Sequence, residues 1–167
     1  QVHILGIEDH AEIVRQKLEE VLQNLEEVSR AEENIAEETR ELAKLDDQSL
    51  EKAKTNEKIK NTADEQRENA EDLKDLVKEG ANALMEAMKN PAFDEQTLRD
   101  WAQNLKSMDE LSDQQMKAAQ SKLGQASQEK QPDKKKENLA DALEEEEEAL
   151  DELADLQDKD KKDLDNL

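Results

Sequence analysis

The chain has 167 residues, of which 34% are hydrophobic, 1% aromatic and 42% charged. With one Phe, one Trp and no Tyr, it lacks the large side chains that fill a thick globular core. Its formal net charge of −22 repels nucleic acid phosphates and anionic lipid surfaces, which excludes those partners.

What remains is a thin structure whose core is a seam of Leu, Ile, Val and Ala. High charge also favours disorder, but only three Gly and two Pro occur, fewer than disordered chains carry. Zero cysteines exclude disulfides and thiolate metal sites. Neither a signal peptide nor an apolar run of transmembrane length is present, so this segment is not expected to insert into a membrane. The chain opens on Gln1 rather than Met, which fits a processed or excised piece.

Residues 1–6 read as strand-like: Val2, Ile4 and Leu5 are β-formers and Gly6 ends the run. They are either a stub of an upstream domain or an apolar tail packed on a helix. From Ile7 to Asn90 a long coiled-coil helix is expected. One apolar row recurs every seven residues as Ile7, Val14, Val21, Val28, Ile35 and Leu42, weakens at Ser49 and Asn56, and returns as Ala63, Ala70, Val77 and Leu84. A second row starts as Ala11, Leu18 and Leu25, then shifts by one residue to Ala31, Leu45, Ile59, Leu73 and Ala87. The two rows make a heptad seam with a phase change near Val28 to Ala31. A turn or kink near Asp46 is the alternative to one unbroken helix, with Asp46 as N-cap, Ser49 at N3 and Leu45 and Leu50 as a hydrophobic staple.

Asn90-Pro91-Ala92-Phe93-Asp94 is a clear break, because Pro91 cannot occupy a helix interior. A second helix is expected over 94–130, capped by Asp94. Its stripe is Leu98, Trp101, Leu105, Met108, Leu111, Met116, Ala119, Leu123 and Ala126. Gln131-Pro132-Asp133 is the next break, and an acidic last helix follows over 133–167. Its Leu139, Leu143, Leu150, Leu153, Leu164 and Leu167 fit one register, interrupted by Glu146, Gln157 and Asp160. Between Glu137 and Leu167 fourteen acidic residues face three lysines, so half of the net charge sits in the last fifth of the chain. The run Glu144 to Glu148 must be largely solvated or partner-facing, since five adjacent carboxylates cannot all be buried.

The fold class expected is therefore all-α, with long coiled-coil helices in an elongated antiparallel hairpin or a narrow helical bundle. Enzyme chemistry has no foothold: there is no Gly-rich phosphate loop, no HExxH and no nucleophile-base pairing. His3 and His10 read as surface residues. No catalytic residue, metal ligand or cofactor is assigned. Trp101 fits either a partner's pocket or the widest layer of the bundle. Ser49, Asn56 and Gln66 mark either an exposed stretch or polar seam positions that fix register.

Three stretches together resemble a known family: VHILGIEDHAEIVRQKLEEVLQNLEEV, MKNPAFDEQTLRDWAQNLKSMDELSDQQM and the Glu/Asp/Leu-rich end. They are similar to the coiled-coil-rich region of large membrane-anchored proteins of unknown function from planctomycetes and verrucomicrobia. In that family transmembrane helices and β-rich domains precede a long charged helical region. The resemblance implies a location in the cell envelope, outside the cytoplasmic membrane; without it, a cytoplasmic location fits equally. It carries over no activity and no catalytic residue.

The function expected is non-enzymatic: an acidic coiled-coil spacer or assembly module that self-associates, binds a basic protein, or both. The alternative is a helical binding or chaperone-like module that captures a basic or partly unfolded client. The candidate partner-binding residues are Trp101, Glu144, Glu145, Glu147 and Glu148, with the seam between Ser49 and Ala70 as a second candidate surface.

Overall fold

Helices account for nearly all of residues 6–167, which the computed structural model describes; the strand-like reading of Val2 to Leu5 lies outside the described residues. They are α1 (Ile7–Ala43), the single turn α2 (Asp47–Leu50), α3 (Ala53–Met88), α4 (Glu95–Asp113), α5 (Gln115–Gln128) and α6 (Pro132–Asp165). Among the described residues there is no strand. No described helix is long and apolar enough to cross a membrane. Helix α1 packs on α3 and α6, α3 also packs on α4 and α5, and these two pack on α6. The result is an all-α bundle of four antiparallel rods, with α4 and α5 end to end in one of them. At ~1.5 Å per residue the longest rod spans about 55 Å.

The 7–90 segment is not one helix. The chain reverses over residues 44–52, so the two halves of the expected long helix pair with each other. Asp46 is the N-cap of α2 and accepts a hydrogen bond from the Ser49 N–H at 2.7 Å. Thr55 Oγ1 donates to the Ser49 carbonyl at 2.6 Å, and Lys135 Nζ reaches across from α6 to donate to the Leu50 carbonyl at 3.2 Å. At the next break, Asp94 caps α4 by accepting from Thr97 N–H at 3.0 Å, and Phe93 is buried against the core. Pro132 enters α6 in its first turn, where a missing N–H costs nothing.

Apart from Ala36 and Ala63, which are buried beside them, the buried rows of α1 and α3 alternate steps of three and four as a heptad does. On α1 they run 11, 14, 18, 21, 25, 28, 32, 35, 39 and 42, and on α3 55, 59, 62, 66, 69, 73, 76, 80, 83 and 87. The expected phase change near Ala31 is absent: the row continues through Glu32, fully buried, and Ala31 is only half-buried. On α6 the buried row is Leu139, Ala142, Glu146, Ala149, Leu153, Leu156, Asp160 and Asp163. It replaces the all-leucine register, and Leu143 and Leu150 are half-buried on its flank.

The expected helix over 94–130 is interrupted at Gln114, whose backbone (φ −105°, ψ −84°) leaves the helical region. The cause is visible in the buried row, which runs Met108, Ser112, Met116 and Ala119, two four-residue steps in succession where a heptad alternates four with three. One extra residue must be absorbed locally for both halves to face the core. Gly80 belongs to the small-residue face of α3. A Cβ there would lie 2.5 Å from Leu105 Cδ2 of α4, so glycine permits this close approach.

Candidate interaction face and the polar core behind it

Helix periodicity sorts the Glu144 to Glu148 run. Glu144, Glu147 and Glu148 are exposed, Glu145 is half-buried and Glu146 is fully buried. Glu144, Glu148, Asp151 and Asp155 stand at i, i+4, i+7 and i+11, a single stripe of exposed carboxylates along α6. Glu147 lies on the other flank, where Arg40 of α1 donates to it at 3.3 Å. Burial, with the charges of Glu148, Glu144 and Asp141 added, raises the pKa of Glu145 above the usual glutamate range. The sequence-derived glutamates thus share one helix but not one face.

Trp101 is not a surface anchor. It is 2% exposed and belongs to the same apolar cluster as Phe93, Leu105 and Met108, so a partner reaches it only by opening the bundle. Its Nε1–H has no hydrogen-bond partner. The seam between Ser49 and Ala70 is likewise closed. Thr55, Ile59, Thr62, Ala63, Gln66 and Asn69 are all buried in the bundle, because α1 and α5 flank that stretch of α3. His10 is tied into the end of the bundle: Asn90 Nδ2 lies 2.9 Å from its Nδ1 and Glu86 Oε2 lies 3.4 Å from its Nε2. His3 lies outside the described residues.

Sequence reasoning placed Gln66, Glu146 and Asp160 at seam positions but missed Glu32, Thr39, Asn69 and Asn104, which are buried with them. Two apolar clusters fill the bundle. One reaches Val28, Leu73 and Ala149, and the other starts at Leu42, Ala63 and Ala142. Between them lie Glu32 and Thr39 of α1, Gln66 and Asn69 of α3, and Glu146 of α6. Glu32 Oε1 accepts from Gln66 Nε2 at 2.5 Å and from Asn69 Nδ2 at 3.2 Å, and Asn69 Nδ2 also donates to the Val28 carbonyl at 3.0 Å. Glu32 Oε2, Gln66 Oε1 and Glu146 Oε1 are buried without partners.

Burial favours the protonated form of Glu146. Thr39 Oγ1 lies 3.0 Å from the Ile35 carbonyl and 3.2 Å from Glu146 Oε2. A hydroxyl has one hydrogen to donate, and a carbonyl and a carboxylate can only accept. The Thr39 hydroxyl is therefore shared as a donor between the Ile35 carbonyl and Glu146 Oε2. Burial, reinforced by the charges of Glu32, Glu147 and Glu38, pushes Glu146 to about 8, with the Thr39 contact pulling the other way. Burial pushes Glu32 to about 7 against the hydrogen bonds from Gln66 and Asn69.

A second polar cluster sits between α4 and α6. Asn104 Nδ2 donates to Asp160 Oδ1 and Asp163 Oδ2, both at 2.9 Å. Burial, with the neighbouring Asp163 charge, raises Asp160 to about 7 although Asn104 opposes it. The signal that locates all these groups is the heptad spacing itself, followed without regard to polarity.

No protein-family model, curated protein or solved structure matches this chain.

Proposed function

We propose that this chain is a non-enzymatic interaction module: a helical rod that holds an acidic face at a fixed spacing for assembly with a basic protein surface or with further copies of itself. The observation that carries the reading is the stripe Glu144, Glu148, Asp151 and Asp155, exposed along α6 and mounted on a helix whose other face is locked into the core. Such a stripe is already ordered by its helix, so a lysine- or arginine-rich partner would lose little entropy in engaging it. The family resemblance of the sequence would place the rod in the cell envelope, as a spacer between folded domains. Heptad packing of the coiled-coil kind fits the same role.

The experiment is a titration of the full chain with poly-L-lysine as a basic probe, followed by calorimetry, alongside a variant carrying E144Q, E148Q and D151N. Tight, salt-sensitive binding that weakens at least about tenfold in the variant is the expected result. Equal binding by both proteins would remove the α6 stripe from the reading. Capture of unfolded clients is the less favoured alternative, because Trp101, its natural apolar handle, is buried.

A further inference from the structure

Helix α6 is held to the bundle differently from α1. Its buried row has only three leucines, Leu139, Leu153 and Leu156, with two alanines among them, whereas α1 buries seven large aliphatic side chains. The same row takes three carboxyl groups out of water, Glu146, Asp160 and Asp163. Among the described residues none of the three is in an ion pair. The ion pairs of α6 are made on its flanks, by Lys136, Asp141, Glu147, Asp155 and Lys159.

The hydrogen bonds leave these carboxyls short as well. Asn104 Nδ2 has two hydrogens and gives one to Asp160 and one to Asp163. Glu146 Oε2 meets the Thr39 hydroxyl, which is shared with the Ile35 carbonyl. Glu146 Oε1 and Asp160 Oδ2 are buried with no partner. The charges that act on them from the neighbouring helices are negative: Glu32 and Glu38 of α1 on Glu146, and Asp100 of α4 on Asp163. On α6 itself Glu147 adds to the repulsion at Glu146, Asp163 adds to it at Asp160, and Lys162 opposes it at Asp163. Lys122 of α5 and Asp47 of α2 also reach α6, but they pair with Asp141 and Lys136 on its flanks.

An ionised carboxylate in such a place has neither water nor a counter-charge, so the docked position of α6 favours the protonated form of all three groups. Burial accordingly raises Glu146 to about 8 and Asp160 to about 7, and moves Asp163 the same way. The start of the helix is pinned by other means. Lys135 donates to the Leu50 carbonyl and Lys136 pairs with Asp47 at 2.7 Å, and neither contact uses a carboxyl proton. Beyond this anchor, three of the eight buried positions from Leu139 to Asp163 are acids.

We infer that α6 is a proton-held arm: as its buried carboxyls ionise, the helix from Leu139 onward swings off the bundle about the Lys135 and Lys136 anchor, while α1, α4 and α5 stay packed on α3. The device needs no partner and so goes beyond the interaction-module reading. Its sign follows from the carboxyls. They bind more protons docked than released, so release is suppressed at acid pH and grows as pH rises through 7 to 8.

Hydrogen exchange of the full chain tests it, read by mass spectrometry from about pH 6 to 9 and corrected for intrinsic exchange rates. Peptides within 139–165 should lose protection at least about tenfold relative to peptides of α1 and α3 over that range. A variant carrying E146Q, D160N and D163N, with folding verified by circular dichroism, should lose this pH-dependent difference. Protection of α6 that stays level with pH overturns the inference. So does a loss shared equally by α1, α3 and α6, which is global unfolding, and the wild-type profile decides both points without the variant. A folded variant that keeps the wild-type pH dependence overturns it too.

Discussion

Replacing Glu146 by glutamine should make the bundle more stable at alkaline pH. In the folded chain Glu146 is pushed from 4.5 to about 8, whereas in the unfolded chain it titrates near the ordinary glutamate value. The native state therefore binds more protons across that window, and its stability falls as pH rises. The contribution is fully present below about pH 4.5 and lost once pH has passed 8. At ~1.36 kcal/mol per pH unit, the ceiling on that loss is about 5 kcal/mol. The amide introduced by E146Q cannot ionise, but it stays buried with a single neighbour in Thr39, which costs about 1–2 kcal/mol. The net expected at pH 9 is a gain of about 2–4 kcal/mol, or roughly 5–15 °C in Tm for a domain of this size. At pH 5 the two proteins should differ by less than about 1 kcal/mol.

The assay is urea unfolding followed by circular dichroism at pH 5, 7 and 9, with ΔG taken from midpoints at equal slope. Glu32 should couple to the result, because its charge helps to raise Glu146. The E32Q change alone should lower the Glu146 pKa, and the double variant should gain less than the sum of the singles. A wild type whose stability is flat or rises between pH 5 and 9 would refute the reasoning. So would an E146Q variant that unfolds at the wild-type midpoint at pH 9.

Two glycines should respond oppositely to alanine. At Gly124 a Cβ meets nothing within 4 Å, so G124A should stabilise by about 0.5–1 kcal/mol through helix propensity. At Gly80 the Cβ would press on buried Leu105, and G80A should gain nothing or lose about 1–2 kcal/mol. Removing the Asp46 cap by D46A leaves the Ser49 N–H unpaired and should cost about 1 kcal/mol in the same urea assay. Trp101, at 2% exposed, should emit at short wavelength and resist iodide or acrylamide quenching until the bundle unfolds; strong quenching of the native protein would show that this end of the core is open.

The helices, and most of their ends, belong to the sequence by itself. Pro91 and Pro132 cannot continue a helix, Asp94 and Asp46 are preferred N-caps, and the heptad of Val14, Val21, Val28 and Ile35 needs no neighbour to be recognised. The charge bias of the last helix is equally local, and so is the absence of large aromatics that makes the bundle thin. What lay beyond reach was the content of the core rows. A pattern of apolar residues passes over Glu32 and Thr39 and registers Gln66, Glu146 and Asp160 only as interruptions, because an isolated charge in a seam costs too much to be expected there. That cost is offset only by groups from other helices: Gln66 and Asn69 for Glu32, Thr39 for Glu146 and Asn104 for Asp160, together with protons that burial holds in place. The same holds for the choice between one long helix and a reversal at Asp46, since the capping signal was present but α6 had to supply Lys135 to the turn. It holds also for Trp101, whose burial depends on rods far away in sequence. Local chemistry determined where helices form and the ends set by Pro91, Asp94 and Pro132; tertiary contact decided the reversal at Asp46 and which polar residues could be taken out of water, because only a neighbour can replace the hydrogen bonds that water provided.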